Sequence, residues 1–285
     1  MSPANDYDYG TSAINTHTES EVDPVTPKEV FPNPTVRAVH FEIRFPNLFF
    51  IESKIGDFQL SIMEKFPQSK LALRRQVVFA DVGPDAKLEQ LPQVIEDDRR
   101  GKVWQFLSGT GVAVNVTTSS LGIHSSQHKT YNNPSSEVRF RDAIEYVISN
   151  FLRVSALPVI ERLGLRYIDE CPLPKKTNAV LQKYYNTAFP VSRFAIEDAE
   201  IMQFMALVKR NGFSLQYIEA LSRKDKGNQL ALDFDASATN IKAADYLSVT
   251  DRLHDLISDE YNSTIKDPVR RFMRQNQDQH NEQRK

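Results

Sequence analysis

Asp233 and Asp235 lie two residues apart in the stretch Leu230–Ala236, with Leu230, Leu232 and Phe234 at the alternate positions. On a strand this spacing sends both carboxylates to one side and the three apolar side chains to the other. Paired carboxylates can hold Mg²⁺ for phosphodiester hydrolysis, or can sit on a wet sheet face and pair with cross-strand bases. The second arrangement is the commoner one. His40, Glu42 and Arg44 share a face of another alternating stretch, and Arg166 points away from Leu165 and Tyr167 in a third. If these stretches are neighbours, His40, Glu42, Arg44, Arg166, Asp233 and Asp235 form one mixed-charge surface. An arginine on such a surface can grip a carboxylate or phosphate through two parallel hydrogen bonds.

Other chemistries are poorly supported. His124 and His128 are four apart but fall in a Ser-rich, non-helical stretch without an adjacent acid, so the expectation is loop histidines and no metal. No glycine spacing matches a phosphate-binding loop, and Gly109-Thr110-Gly111 reads as a hairpin turn. There is no nucleophile elbow. The one cysteine, Cys171, follows Asp169-Glu170, whose charges would disfavour a thiolate. No cofactor is expected. Arg270, Arg271 and Arg274, with Phe272 among them, could track phosphates along a short C-terminal helix, or could simply be solvated.

The elements that would carry these groups follow from periodicity. Val39, Phe41, Ile43 and Phe45 alternate with polar residues and predict a strand ended by Pro46. Ile55, Phe58, Ile62 and Phe66 predict a helix. Strands are predicted at 75–82, 103–108, 111–119, 121–124, 162–169, 201–209, 214–221 and 229–236. Asn211-Gly212 supplies a hairpin turn. A long helix follows Pro134, with Ser135 or Ser136 as cap and Ile144, Val147, Ile148, Phe151 and Leu152 as its stripe. A second runs from 242 to 261 on Tyr246, Val249, Leu253, Leu256 and Ile257. Asp267-Pro268 opens a last short helix.

The pattern predicts an α+β fold with a mostly antiparallel sheet in two pseudo-repeated halves, each with a long amphipathic helix covering one face. The expected division is an acidic disordered tail at 1–33, halves at 34–174 and 175–274, and a frayed polar tail at 275–285. The first tail holds six acids and one base. Across 285 residues, 35 Lys and Arg against 37 Asp and Glu leave a net charge of −2, which argues against a dedicated nucleic-acid binder. One cysteine excludes an intramolecular disulfide, and no run spans a bilayer, so a cytoplasmic protein without membrane partners is expected.

Three phrases resemble a known family. They are Pro34 with Val39, Phe41, Ile43, Arg44 and Phe45; the run from Glu161 through Arg166 and Tyr167 to Asp169; and Leu232 to Asp235 followed by Leu253-His254-Asp255. Together, over about 34–270, they are similar to a sporadically distributed prokaryotic family of conserved hypothetical proteins. Asp169 departs from the Asn expected there. The resemblance implies no assigned reaction. It implies an accessory role in a mobile-element or phage-defence system, and places Arg44, Arg166, Tyr167 and His254 in the family's phrases. The expected function is a non-enzymatic intracellular binding or regulatory protein, using Arg44 and Arg166 as anchors with Tyr167 or His254 as neighbours. Its partner would be a protein or a charged ligand. The alternatives are a metal-assisted phosphodiesterase or nuclease at Asp233 and Asp235, and an RNA-binding module at the C-terminal arginines.

Overall fold

A computed structural model describes residues 31–74, 101–133, 136, 138–224 and 227–275. The strand expected at 75–82 and nearly all of both tails lie outside these residues. The chain is α+β, and among the described residues nine strands form one antiparallel sheet. They are β1 (Val36–Arg44), β2 (Gln68–Arg74), β3 (Gly101–Leu107), β4 (Val112–Val116), β5 (Ser120–Ser125), β6 (Val159–Pro172), β7 (Gln203–Arg210), β8 (Phe213–Lys224) and β9 (Gly227–Lys242). Their spatial order is β2-β3-β4-β5-β1-β6-β9-β8-β7. β1 and β6 therefore lie side by side, and each pairs outward with a later strand, β5 or β9. The helices are α1 (Ile51–Ile62), α2 (Phe140–Ser155), α3 (Asn178–Tyr184), α4 (Tyr246–Thr264) and α5 (Asp267–Arg274).

The alternation in β1 does what its period requires. Val39, Phe41 and Ile43 are buried, and their sheet neighbours Tyr167, Leu165 and Leu163 are buried beside them. Phe45 continues the apolar face just past the strand. The core lies between this face and the helices. Phe58 of α1 meets Phe106 of β3 and Phe151 of α2 at ring distances of 5.6 and 5.5 Å. The α2 stripe of Ile144, Val147, Ile148 and Phe151 is buried, as is the α4 stripe. Each such side chain contributes about 1.5–3 kcal/mol of apolar transfer energy.

Several boundaries differ from expectation. Ser135 lies outside the described residues, and among these no side chain caps α2. Its first amides, Phe140 and Arg141, instead donate to the Thr130 and Tyr131 carbonyls at 3.2 and 3.0 Å, and Ser136 bonds Val138. β9 runs on to Lys242, so α4 starts at Tyr246 and ends at Thr264. Asp267 is already helical, with Lys266 in the cap position. Helix α3 was not expected. Thr177 caps it by accepting from the Val180 amide. The first described residues are packed: the Asn33 amide donates to the Met273 carbonyl at 3.0 Å. Among the described residues, no helix is long and apolar enough to cross a membrane.

Candidate functional site

Because the helices pack on one face, the other face of the central strands is left open. Period two decides what it carries. β5 contributes His124; β1 contributes His40, Glu42 and Arg44; β6 contributes Arg162 and Arg166; β9 contributes Asp233 and Asp235. The structure thus brings together all six residues of the expected charged surface, and adds His124 and Arg162.

The carboxylates are committed to arginines. Arg166 makes a two-point pair with Asp233, Nε and Nη2 donating at 2.7 and 2.5 Å. Arg162 Nη2 donates to both Asp235 oxygens at 3.0 and 3.3 Å, while its Nη1 reaches Glu42 at 3.2 Å. Arg44 Nε holds the same Glu42 oxygen at 2.9 Å. Near the start of β1, Arg37 pairs with Glu170 at 3.0 Å. Among the described residues no group of three or more His, Cys, Asp or Glu side chains could hold a metal. Asp233 and Asp235 lie in an arginine lattice, which is the cross-strand pairing that their spacing also allowed. Burial still pushes the Asp235 carboxyl up, and Arg162 opposes that rise.

The lattice is layered. Side-chain exposures are 58% for Arg37 against 20% for Glu170, 57% for Arg44 against 34% for Glu42, and 43% for Arg166 against 15% for Asp233. In these three pairs the guanidinium stands toward solvent and the carboxylate lies beneath it, whereas Arg162, at 26%, is no more exposed than its partners Asp235 at 27% and Glu42 at 34%. Beyond Arg44 the open face dips into a cavity of about 660 Å³ lined by Glu42, Arg44, Glu52, Lys102, Thr117 and Ser120.

At the middle of the face His40 and His124 touch, Nδ1 to Nδ1 at 2.6 Å. One ring must carry its proton on Nδ1 and the other must accept it. Burial, the neighbouring His124 and Arg166 lower the His40 imidazole to about 4, although Asp233 acts the other way. Burial lowers His124 too, against the pull of Glu42. His124 is thus a strand residue and not a loop histidine. His128 is in the loop but buried, bonded to the Ser125 hydroxyl at 2.8 Å.

No family model, curated protein or solved structure matches this chain. The face must therefore be read from its own geometry.

Tyr167 and His254 do not join the charged surface. They lie on the opposite, helix-covered side, where His254 stacks on Tyr131 at 4.2 Å and its ring is 6.0 Å from that of Tyr167. Tyr167 alternates with Arg166, so one strand cannot send both to the same face. The C-terminal arginines are also partly engaged. Arg270 donates to the Asn262 carbonyl at 2.9 Å, and Arg274 lies 6.0 Å from the Phe31 ring centroid.

Two buried acids carry no sequence signature. Glu219 accepts from Thr187, from the Ala188 amide at 2.8 Å and from Tyr217 at 3.1 Å, and burial raises its pKa. Asp169 is buried and accepts from Thr35 Oγ1 at 2.7 Å, and the same hydroxyl meets Tyr261 of α4 at 2.6 Å. Burial raises the Asp169 carboxyl to about 7, Thr35 and Lys129 opposing and Asp233 adding. Cys171 is buried close by. Burial, more than the carboxylate charge, pushes its thiol up. Arg162 was within reach of sequence reasoning, since positions 162, 164 and 166 share a face.

Proposed function

We propose that this chain is a binding protein, not an enzyme, and that its open sheet face receives an anionic ligand or partner. The observation that carries this reading is the layering of charge at Arg37, Arg44 and Arg166, each more exposed than the carboxylate it pairs with. Each carboxylate fixes a guanidinium that would otherwise lose side-chain entropy on binding, so its remaining N–H groups are held ready for an incoming anion. Arg44 and Arg166 are the anchors. Following the family resemblance, the partner belongs to a mobile-element or phage-defence system inside the cell. The phosphodiesterase alternative is disfavoured because Arg162 and Arg166 occupy the carboxylates that a metal would need. In the RNA-binding alternative Arg270 is already bonded to the Asn262 carbonyl.

Affinity capture from the native host tests the reading, with the intact chain and an Arg44→Gln/Arg166→Gln variant as baits. The intact chain should retain an anionic macromolecule that is released at about 0.5 M salt and is not retained by the variant. Recovery of the bait alone from the intact chain, or equal retention by both, would overturn it.

A further inference from the structure

Resting on the reading of the open face as anion-receptive, we propose that the acidic N-terminal segment, residues 1–30, docks on the arginine layer of that face and competes there with external anions. The charges are complementary. The segment carries Asp6, Asp8, Glu19, Glu21, Asp23 and Glu29 against the single base Lys28. The face presents Arg37, Arg44 and Arg166 outward of Glu170, Glu42 and Asp233, the first and second more than half exposed.

The connection is close. Phe31 lies beside α5, and six residues later Arg37 begins the arginine layer. Thirty residues can extend over about 100 Å, whereas the nine residues of β1 span about 30 Å. Reach is ample even though the chain enters from the helix-covered side.

The spacing also fits. Glu19, Glu21 and Asp23 recur at intervals of two, so an extended segment sends all three carboxylates to one side over about 13 Å. Arg162 and Arg166 are likewise four residues apart on one face of β6, a separation of about 13 Å. Arg44 lies directly across from Arg162 in the β1–β6 register. An extended acidic segment laid over β1 and β6 would therefore meet Arg44 at one end of its carboxylate row and Arg166 at the other.

The full chain carrying Ser20→Cys tests this, with a nitroxide attached to the new thiol; the native Cys171 is buried and does not compete for the label. At low salt the label should broaden the amide resonances of 37–44 and 162–166 and spare those of α1 and α2. The broadening should vanish at about 0.5 M salt. It should also vanish when Glu19→Gln, Glu21→Gln and Asp23→Asn are added. Broadening confined to 31–36, or unchanged by neutralisation, overturns the docking. So does broadening seen only between labelled and unlabelled copies, since the occupant would then be a second molecule's segment.

A fluorescein-labelled hexaglutamate peptide, followed by anisotropy, separates this inference from the reading beneath it. The neutralised chain should bind the peptide roughly tenfold more tightly than the native chain, the release of about three exposed ion pairs. Equal binding by the two chains without broadening rejects the docking and leaves the anion-receptive face standing. No binding by the neutralised chain rejects that face as well.

Discussion

The Arg162 guanidinium lies flat over Gly164, where a Cβ would fall 2.5 Å from Nη1. That position lets Arg162 reach along the sheet to Asp235, which the register sets opposite Arg166 and not opposite Arg162. Gly164 is thus the floor on which the central ion pairs cross.

Gly164→Ala should displace Arg162 without unfolding the chain, because the obstructed atoms are the far end of a flexible side chain. Stability should change by no more than about 1 kcal/mol in urea denaturation. The coupling between Arg162 and Asp235, about 0.5–1 kcal/mol in a double-mutant cycle, should fall toward zero in the Gly164→Ala background. Retention of the full coupling would show that the glycine floor is not needed.

Asp169 predicts a loss of stability with rising pH. Its folded carboxyl titrates near 7, above its ordinary 3.8, so between these values the native chain holds a proton that the unfolded chain has released. Stability should fall as pH rises through that window. Asp169→Asn can still accept from Thr35. It should remove this slope and gain roughly 2 kcal/mol or more at pH 8. Urea titrations at pH 5 and pH 8 check it, and an unchanged slope would refute the burial argument.

His40 acts in the opposite direction. Its imidazole titrates near 4 when folded, against 6.5 unfolded, so below 6.5 the unfolded chain takes up the proton first. Stability should fall as pH drops from about 6.5 to 4. This slope partly cancels that of Asp169, so it should be plainest in Asp169→Asn. Adding His40→Gln should flatten it, as read by the urea midpoint across that range.

Phe58 anchors α1 between Phe106 and Phe151 and is wholly buried. Phe58→Ala should cost about 3–5 kcal/mol, whereas Phe58→Leu should cost about 1–2 kcal/mol. The shift in urea midpoint at constant slope measures both. A loss below about 1 kcal/mol for alanine would place the core elsewhere.

Much of the fold was legible because strand alternation and the helical stripe are local. The β1 alternation, the α2 and α4 stripes and the Asn211-Gly212 turn, with φ of 50° and 83°, all stand where the sequence predicts them. The misses have physical causes. Helix α3 buries only Leu181, so it shows no stripe. The end of β9, with Ser237, Ala238 and Thr239, has weak alternation and is held as strand by its ladder to β6. The α2 start is satisfied by carbonyls of the loop before it, which a search for capping serines does not reveal.

For the candidate site, the sequence by itself determined which residues share a face. His40, Glu42 and Arg44 had to project together, as did Asp233 and Asp235, because alternation is a property of the strand backbone. Tyr167 was bound to the face opposite Arg166 for the same reason. Only the tertiary structure decided which charges meet: Arg166 with Asp233, Arg162 across Gly164 to Asp235, and His40 with His124, 84 residues away. It also decided that Asp169 would be buried. These outcomes depend on strand order and register, which are fixed by packing the whole apolar face against its helices and by no short stretch of chain.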